Sequence, residues 1–168
     1  TIAAVFLGPT VPNAQIYGLP FMFGVNPEKA KALATSDVGR AVEEDIEKRL
    51  DARVLGTWYS GTTMYVTNKA VRVPADFEGM RVRVAGSKLW EEYTRALGAS
   101  PLTISFGELF TSAQQGLIDG IDSNANALSG IRIGQVMKHG LRTDHSTIVH
   151  MLTFNGDFWR KLPAPIQQ

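Results

Sequence analysis

The chain contains no cysteine, which excludes disulfides, thiolate metal sites and cysteine nucleophiles. That absence suits a cytosolic protein or one exported without oxidative folding, so composition leaves the compartment open. Neither sign of charge dominates: 17 Lys and Arg stand against 16 Asp and Glu, with no basic cluster along one helix or loop. The broad electrostatic footprint of a nucleic-acid binder is therefore missing. No apolar run approaches the length that spans a bilayer, and the opening TIAAVFLGPTVP lacks a charged n-region and is broken by Pro9 and Pro12. The patterns G-x-S-x-G, G-x-x-x-x-G-K-[ST] and G-x-G-x-x-G are absent, and with them the usual nucleophile elbow, P-loop and dinucleotide fingerprint. What is present is a 168-residue chain that is 44% hydrophobic, enough for one ordinary core or two small ones sharing a hinge.

Read along its length, the chain predicts an α/β fold. Ile2 to Leu7 is a short apolar run that reads as a buried strand. Asn26-Pro27-Glu28 is a cap-then-proline helix start, and Asp37 can cap a second helix with Val38, Val42, Ile46 and Leu50 on one stripe. Arg53 to Tyr59 predicts a strand, Gly61 a turn, and Met64 to Val71 a further extended piece. From Met80 the pattern becomes strand, helix, strand, helix: Met80 to Val84, Ser87 to Leu97 with Gly98 as cap, Leu102 to Ile104, then a capping box Ser105-x-x-Glu108. This alternation favours a parallel sheet. Ile118 to Asp122 reads as another short strand, followed by helical pieces at Asn124 to Ser129 and Ile133 to His139. Thr147 to Asn155 is a long strand that returns across the fold, and Asp157 to Leu162 starts a helix that prolines interrupt.

The candidate chemistry gathers at strand ends. Arg83 closes the strand GMRVRV, and ligands of α/β sheets collect outside the carboxyl ends of strands, where an arginine meets a carboxylate with a planar fork. Arg81 shares its face but sits farther from the end and reads as a surface or ion-pair residue. Phe106 follows the helix cap Ser105 near the same rim, and Trp58 ends a strand where an aromatic can wall a pocket. Asp122 and Ser123, at the next strand end, are acceptors suited to a ligand hydroxyl. Asp119, between two glycines, reads as a turn stabiliser. His139, His145 and His150 match no metal-ligand spacing, so neither a metal nor a cofactor is expected.

VPADFEGMRVRVAGS, LGASP, SFGELFTSAQQGLIDGID, TDH and FNGDFWRKLP, in this order and with GLPFMF and VLGTWYSGTT before them, resemble the DctP-like solute-binding proteins of TRAP transporters over nearly the whole chain. The resemblance implies a two-lobed periplasmic binding protein, incomplete at both ends, with strands crossing between the lobes. Residues 1–60 would be part of domain I, 61–146 most of domain II, and 147–168 the return strand and the start of a domain I helix. It implies a small carboxylate ligand clamped by Arg83, a pocket wall at Phe106, polar contacts from Asp122 and Ser123, and delivery to TRAP membrane permease subunits. Thr63 stands where many members carry a second arginine, which argues against a sialic-acid-type site. Trp58, Phe106 and Tyr65 allow an aryl or branched acid, whereas Asp122, Ser123 and Asn126 allow a hydroxylated one; the expected ligand is a mid-sized monocarboxylate.

Two other classes fit the fold: a ligand-sensing module, and an enzyme using Asp122, His145 or His150 as acid or base, although no nucleophile is paired with a base. With domain I lacking much of its core, the chain by itself is expected to be marginally stable. A broad thermal transition at low temperature is the predicted result, and a cooperative melt at high temperature would overturn it.

Overall fold

The computed structural model describes residues 1–167. Helix α1 (Pro27–Thr35) begins where Asn26 accepts a hydrogen bond from the Glu28 amide and Pro27 takes a position that needs no donor. Helix α2 (Asp37–Leu50) is capped by Ser36 rather than Asp37, the Ser36 hydroxyl accepting from the Gly39 amide. Val42 and Ile46 of its stripe are buried with Tyr17, Val149 and Met151, whereas Val38 is exposed. The opening apolar run is a strand only over β1 (Ile2–Ala3) and tightens into a 3-10 turn over Ala4–Leu7. Either shape buries the run, and apolar periodicity alone does not separate them.

The turn expected at Gly61 is a bulge. Strand β2 runs unbroken over Ala52–Thr67, with Gly61 at φ +110° and the register shifting between Tyr59 and Thr62. Glycine tolerates that conformation, so the strand bends and continues instead of reversing. Its first part pairs antiparallel with β7 (Thr147–Asn155), from Ala52 opposite Asn155 to Thr62 opposite Thr147. From Thr63 onward its partner is β5 (Gly120–Asn124), and β6 (His139–Leu141) takes the other edge at Tyr65–Thr67. Beyond β5, strand β3 (Arg81–Val84) lies parallel to both β5 and β4 (Ser100–Thr103), giving the order β1-β7-β2-β5-β3-β4.

Helix α3 (Lys88–Ala96) covers one face of the parallel part with Trp90 and Thr94 and ends near Gly98 at φ +82°. The other face is covered by α4 (Leu109–Gln114) and α5 (Ala125–Gly130), where Leu109, Ile118, Ile121 and Leu128 form one core. The capping box expected at Ser105 is replaced by a direct bond from the Ser105 hydroxyl to the Glu108 carboxylate, and a 3-10 turn (Phe106–Glu108) precedes α4. Only Ile133–Gln135 of the expected later helix is helical, as a 3-10 turn, and His139 already belongs to β6. Helix α6 (Gly156–Lys161) follows β7. Among the described residues no helix is long and apolar enough to cross a membrane.

Asp119 locks the entry to β5. Its carboxylate accepts from the Arg81 amide and Nε at 2.9 Å each, from Arg81 Nη2 at 2.9 Å, and from Asn68 Nδ2 at 3.0 Å. The Arg81 side chain above all holds its carboxyl down at about 2. A carboxyl depressed in the folded state contributes stability above its unfolded value that is lost as pH falls through the folded one. Asp119→Ala is expected to lower stability by about 1 kcal/mol at neutral pH. Urea titrations at stepped pH should also show a flatter stability loss between about pH 4 and 2; an unchanged acid limb would rule out this role.

Candidate ligand-binding site

Residues opposite one another in a sheet share a face, and their chain neighbours take the other. Arg83 opposes Leu102 in β4 and Ile121 in β5, while Ser123, two residues beyond Ile121, opposes Met64 in β2. Arg83, Ser123 and Met64 therefore project from the face that carries α4 and α5. Asp122 opposes Tyr65, and Thr63 shares the Tyr65 side of β2, so these three belong to the α3 face, while Asn124 at the end of β5 caps α5, its side-chain oxygen accepting from the Ala127 amide. The placement of Asp122 beside Ser123 at a strand end is thereby corrected: β5 starts two residues later than expected and ends at Asn124, and alternation sends the two side chains to opposite faces.

Arg83 is only 6% exposed. Its Nε donates to the Ile104 carbonyl at 2.9 Å, and among the described residues this is its one hydrogen bond, leaving both Nη nitrogens unused and no acid in ion-pair contact. Burial pushes the guanidinium down from its usual range and the Asp122 carboxylate acts against that shift, yet an arginine stays protonated at neutral pH. The strand end that buries it also aims it, because the Ile104 carbonyl fixes one edge of the planar group. Phe106, two residues past that carbonyl, opens the 3-10 turn and is 46% exposed.

The α3 face holds a buried polar cluster. Asp122 is fully buried; one carboxylate oxygen accepts from the Tyr93 hydroxyl and lies 3.2 Å from His145 Nε2, while the other has no partner among the described residues. The His145 ring stacks on Tyr65 at 4.9 Å and meets Tyr93 edge-on at 5.2 Å. Its Nδ1 is 2.7 Å from the Thr143 hydroxyl, and the Thr63 hydroxyl approaches the ring to 3.2 Å. Burial and the Asp122 charge raise both the Tyr65 and the Tyr93 hydroxyls above their ordinary range. The backbone around His145 joins three segments: its carbonyl accepts from the Phe21 amide at 2.7 Å, the Ser146 hydroxyl donates to the Gly18 carbonyl at 3.0 Å, and the Ser146 carbonyl accepts from the Thr63 amide at 2.9 Å.

The predicted residues thus divide. Arg83 and Ser123 share a face, and Phe106 follows the loop that anchors Arg83. Thr63 is fully buried and belongs to the His145 cluster. Trp58 lies on the part of β2 paired with β7, its ring 5.7 Å from His150. Asn126 is exposed in the first turn of α5. Sequence reasoning missed the Ile104 carbonyl and the part played by Tyr93. The only signal for Tyr93 was its place on the α3 stripe, which reads as core packing.

The chain matches the model of bacterial extracellular solute-binding protein family 7 (DctP) over residues 2–168, and it belongs to that family. It is 27% identical over 156 residues to the sialic acid-binding periplasmic protein SiaP of Vibrio cholerae, covering 93% of this chain and 48% of that protein. It is 26% identical over 157 residues to the C4-dicarboxylate-binding periplasmic protein DctP of Rhodobacter capsulatus, covering 94% of this chain and 46% of that protein. Among solved structures, a TRAP periplasmic solute-binding protein of Roseobacter denitrificans with bound L-galactonate superposes with a TM-score of 0.95 at 27% identity, over 99% of this chain and 55% of the other. One from Desulfovibrio salexigens with bound orotic acid gives 0.91 at 31% identity, over 98% and 53%. The α/β fold is that of the TRAP periplasmic binding proteins, and the chain spans about half the length of the relatives it matches.

His145→Ala is expected to cost about 3 kcal/mol of stability, because it removes a partner of a fully buried carboxylate together with a stacked ring. Urea denaturation measures this, and a loss below about 1 kcal/mol would show that the cluster does not brace these segments.

Proposed function

We propose that this chain forms the arginine-bearing part of a TRAP-type periplasmic solute-binding protein that captures a small organic acid and delivers it to a membrane permease. The observation that carries the reading is the state of Arg83: a buried cation with one hydrogen bond, to a carbonyl, and two Nη nitrogens unused. Burying a charge is costly unless it is paired, and a ligand carboxylate received in a planar fork offsets that cost with two charge-assisted bonds. Ser123 on the same face and Phe106 at the adjoining rim would supply a polar contact and an apolar wall. The sialic acid and C4-dicarboxylates named for two relatives, and the acids bound in two structural neighbours, support an acid as ligand.

In this reading residues 61–146 form one lobe and the flanking segments contribute to the other. Closure turns about β2 and β7, and the Gly61 bulge, where the pairing of β2 is irregular, is the place that bends. The acid stabilises the closed form because only there does it contact both lobes. No bond is broken in this cycle.

The test is calorimetry on acids first found by thermal shift. Arg83→Ala is expected to weaken binding of the acid by about 100-fold or more. Arg83→Lys, which keeps the charge but not the fork, should recover only part of the affinity. Undiminished binding by Arg83→Ala would move the clamp elsewhere.

A further inference from the structure

A second recess, of about 320 Å3, opens beside β2 between Ser60, Thr62, Met64, Asn126, Arg142 and Asp144. Asp144 holds a left-handed backbone conformation at φ +49°, unusual for a residue with a side chain, although Asp tolerates it better than most. Its two carboxylate oxygens are engaged, one by the Thr62 hydroxyl and the other by Arg142 Nε at 2.8 Å. These bonds keep its carboxyl below the usual range, the Thr62 hydroxyl contributing most. With Nε so held, the 75% exposed Arg142 side chain has both Nη nitrogens without a partner among the described residues.

We infer that this recess recognises the far end of the acid held by Arg83, and that Arg142 is a specificity-determining residue favouring hydroxyl groups there over a second carboxylate. The inference rests on the Arg83 reading and deepens it. Position is the first argument. Met64 lines the recess and opposes Ser123, so the recess opens on the face of the sheet that carries Arg83. Arg142 follows Leu141, which opposes Tyr65 on the far edge of β2, so three inter-strand steps and one two-residue offset separate Arg83 from Arg142, about 16 Å between Cα atoms. The long arginine side chains shorten that span to one that a sugar acid bridges and acetate does not.

Charge is the second argument. Asp144 already balances Arg142, so the recess is neutral as a whole, and a second carboxylate would meet an anion beside the cation. Hydroxyl groups carry no such penalty. They can accept from the free Nη nitrogens and exchange bonds with Asn126 and Ser60, whose groups both donate and accept.

Three six-carbon acids separate tail chemistry from length: gluconate, hexanoate and adipate, titrated by calorimetry into the intact protein and its variants. Gluconate should bind most tightly. Arg142→Ala should weaken gluconate about 10-fold, the loss of one or two hydrogen bonds, while changing hexanoate less than about twofold. Arg142→Gln, which keeps donors without the charge, should recover most of the gluconate affinity. Arg83→Ala should weaken all three, and if it does not while the Arg142 effect persists, the clamp falls and the recess stands. Equal losses for the three acids in Arg142→Ala, no loss for any, tighter binding of adipate than gluconate, or failure of gluconate to bind would each overturn the inference. Unchanged melting temperatures of the Arg142 variants, expected for so exposed a side chain, separate these losses from unfolding.

Discussion

The site depends on the register of one strand. β2 passes from β7 to β5 and β6 without a break, and the alternation of its side chains decides which residues meet at each end. A slip of one residue would exchange Met64 with Tyr65 and turn the aromatic partner of His145 onto the Arg83 face. The bulge between Tyr59 and Thr62 sets that register, because it absorbs one extra residue before the strand changes partners. Gly61 takes the strain at φ +110°, so the flanking residues keep ordinary extended backbone and pair normally. A local glycine conformation thus controls the placement of residues on both faces of the parallel part.

The faces divide the charges as well. Arg83 is buried on one and Asp122 on the other. They are close enough for the Asp122 charge to favour the protonated guanidinium, but Asp122 is bound to Tyr93 and faces His145 on the far side of the sheet. The anion therefore stabilises the cation through the sheet without occupying its fork. A direct carboxylate pair in the protein would have made Arg83 cheaper to bury and would have filled its fork. Separation by one layer of backbone leaves the Nη nitrogens of Arg83 open.

Much of this was legible in the sequence, for identifiable reasons. The return strand Thr147–Asn155 was read with the bounds it has, because a nine-residue β-rich run between turn residues leaves little choice. The α1 start and the α3 helix with its Gly98 end follow from a cap and a glycine, whereas the cap expected at Ser105, beside the exposed Phe106, does not form. The failures lie where local signals admit two answers. Gly61 reads equally as turn or bulge, and only the pairing of both flanks with other strands decides. His139–Leu141 carries too little pattern to announce an edge strand. Ile118 is apolar and reads as the start of β5, yet it serves the α4 core, and β5 begins two residues later. That small offset matters most, since parity alone assigns Asp122 to the core and Ser123 to the Arg83 face.

Thr63 explains why a single carboxylate is the reading best supported. Its hydroxyl rests against the His145 ring, and the residue is fully buried, so it contributes a hydrogen bond and no charge. Among the described residues Arg83 is then the only buried Lys or Arg. A buried cation grips an anion far more strongly than an exposed one, because the surrounding protein screens the pair less than water does. Arg142 is exposed and already matched by Asp144. In the proposed reading, one buried anchor and one recess whose charges balance make the two ends of the site chemically unequal. An acid with a charged head and a hydroxylated tail satisfies both ends, whereas a symmetric dianion leaves its second charge against a recess that has none to return.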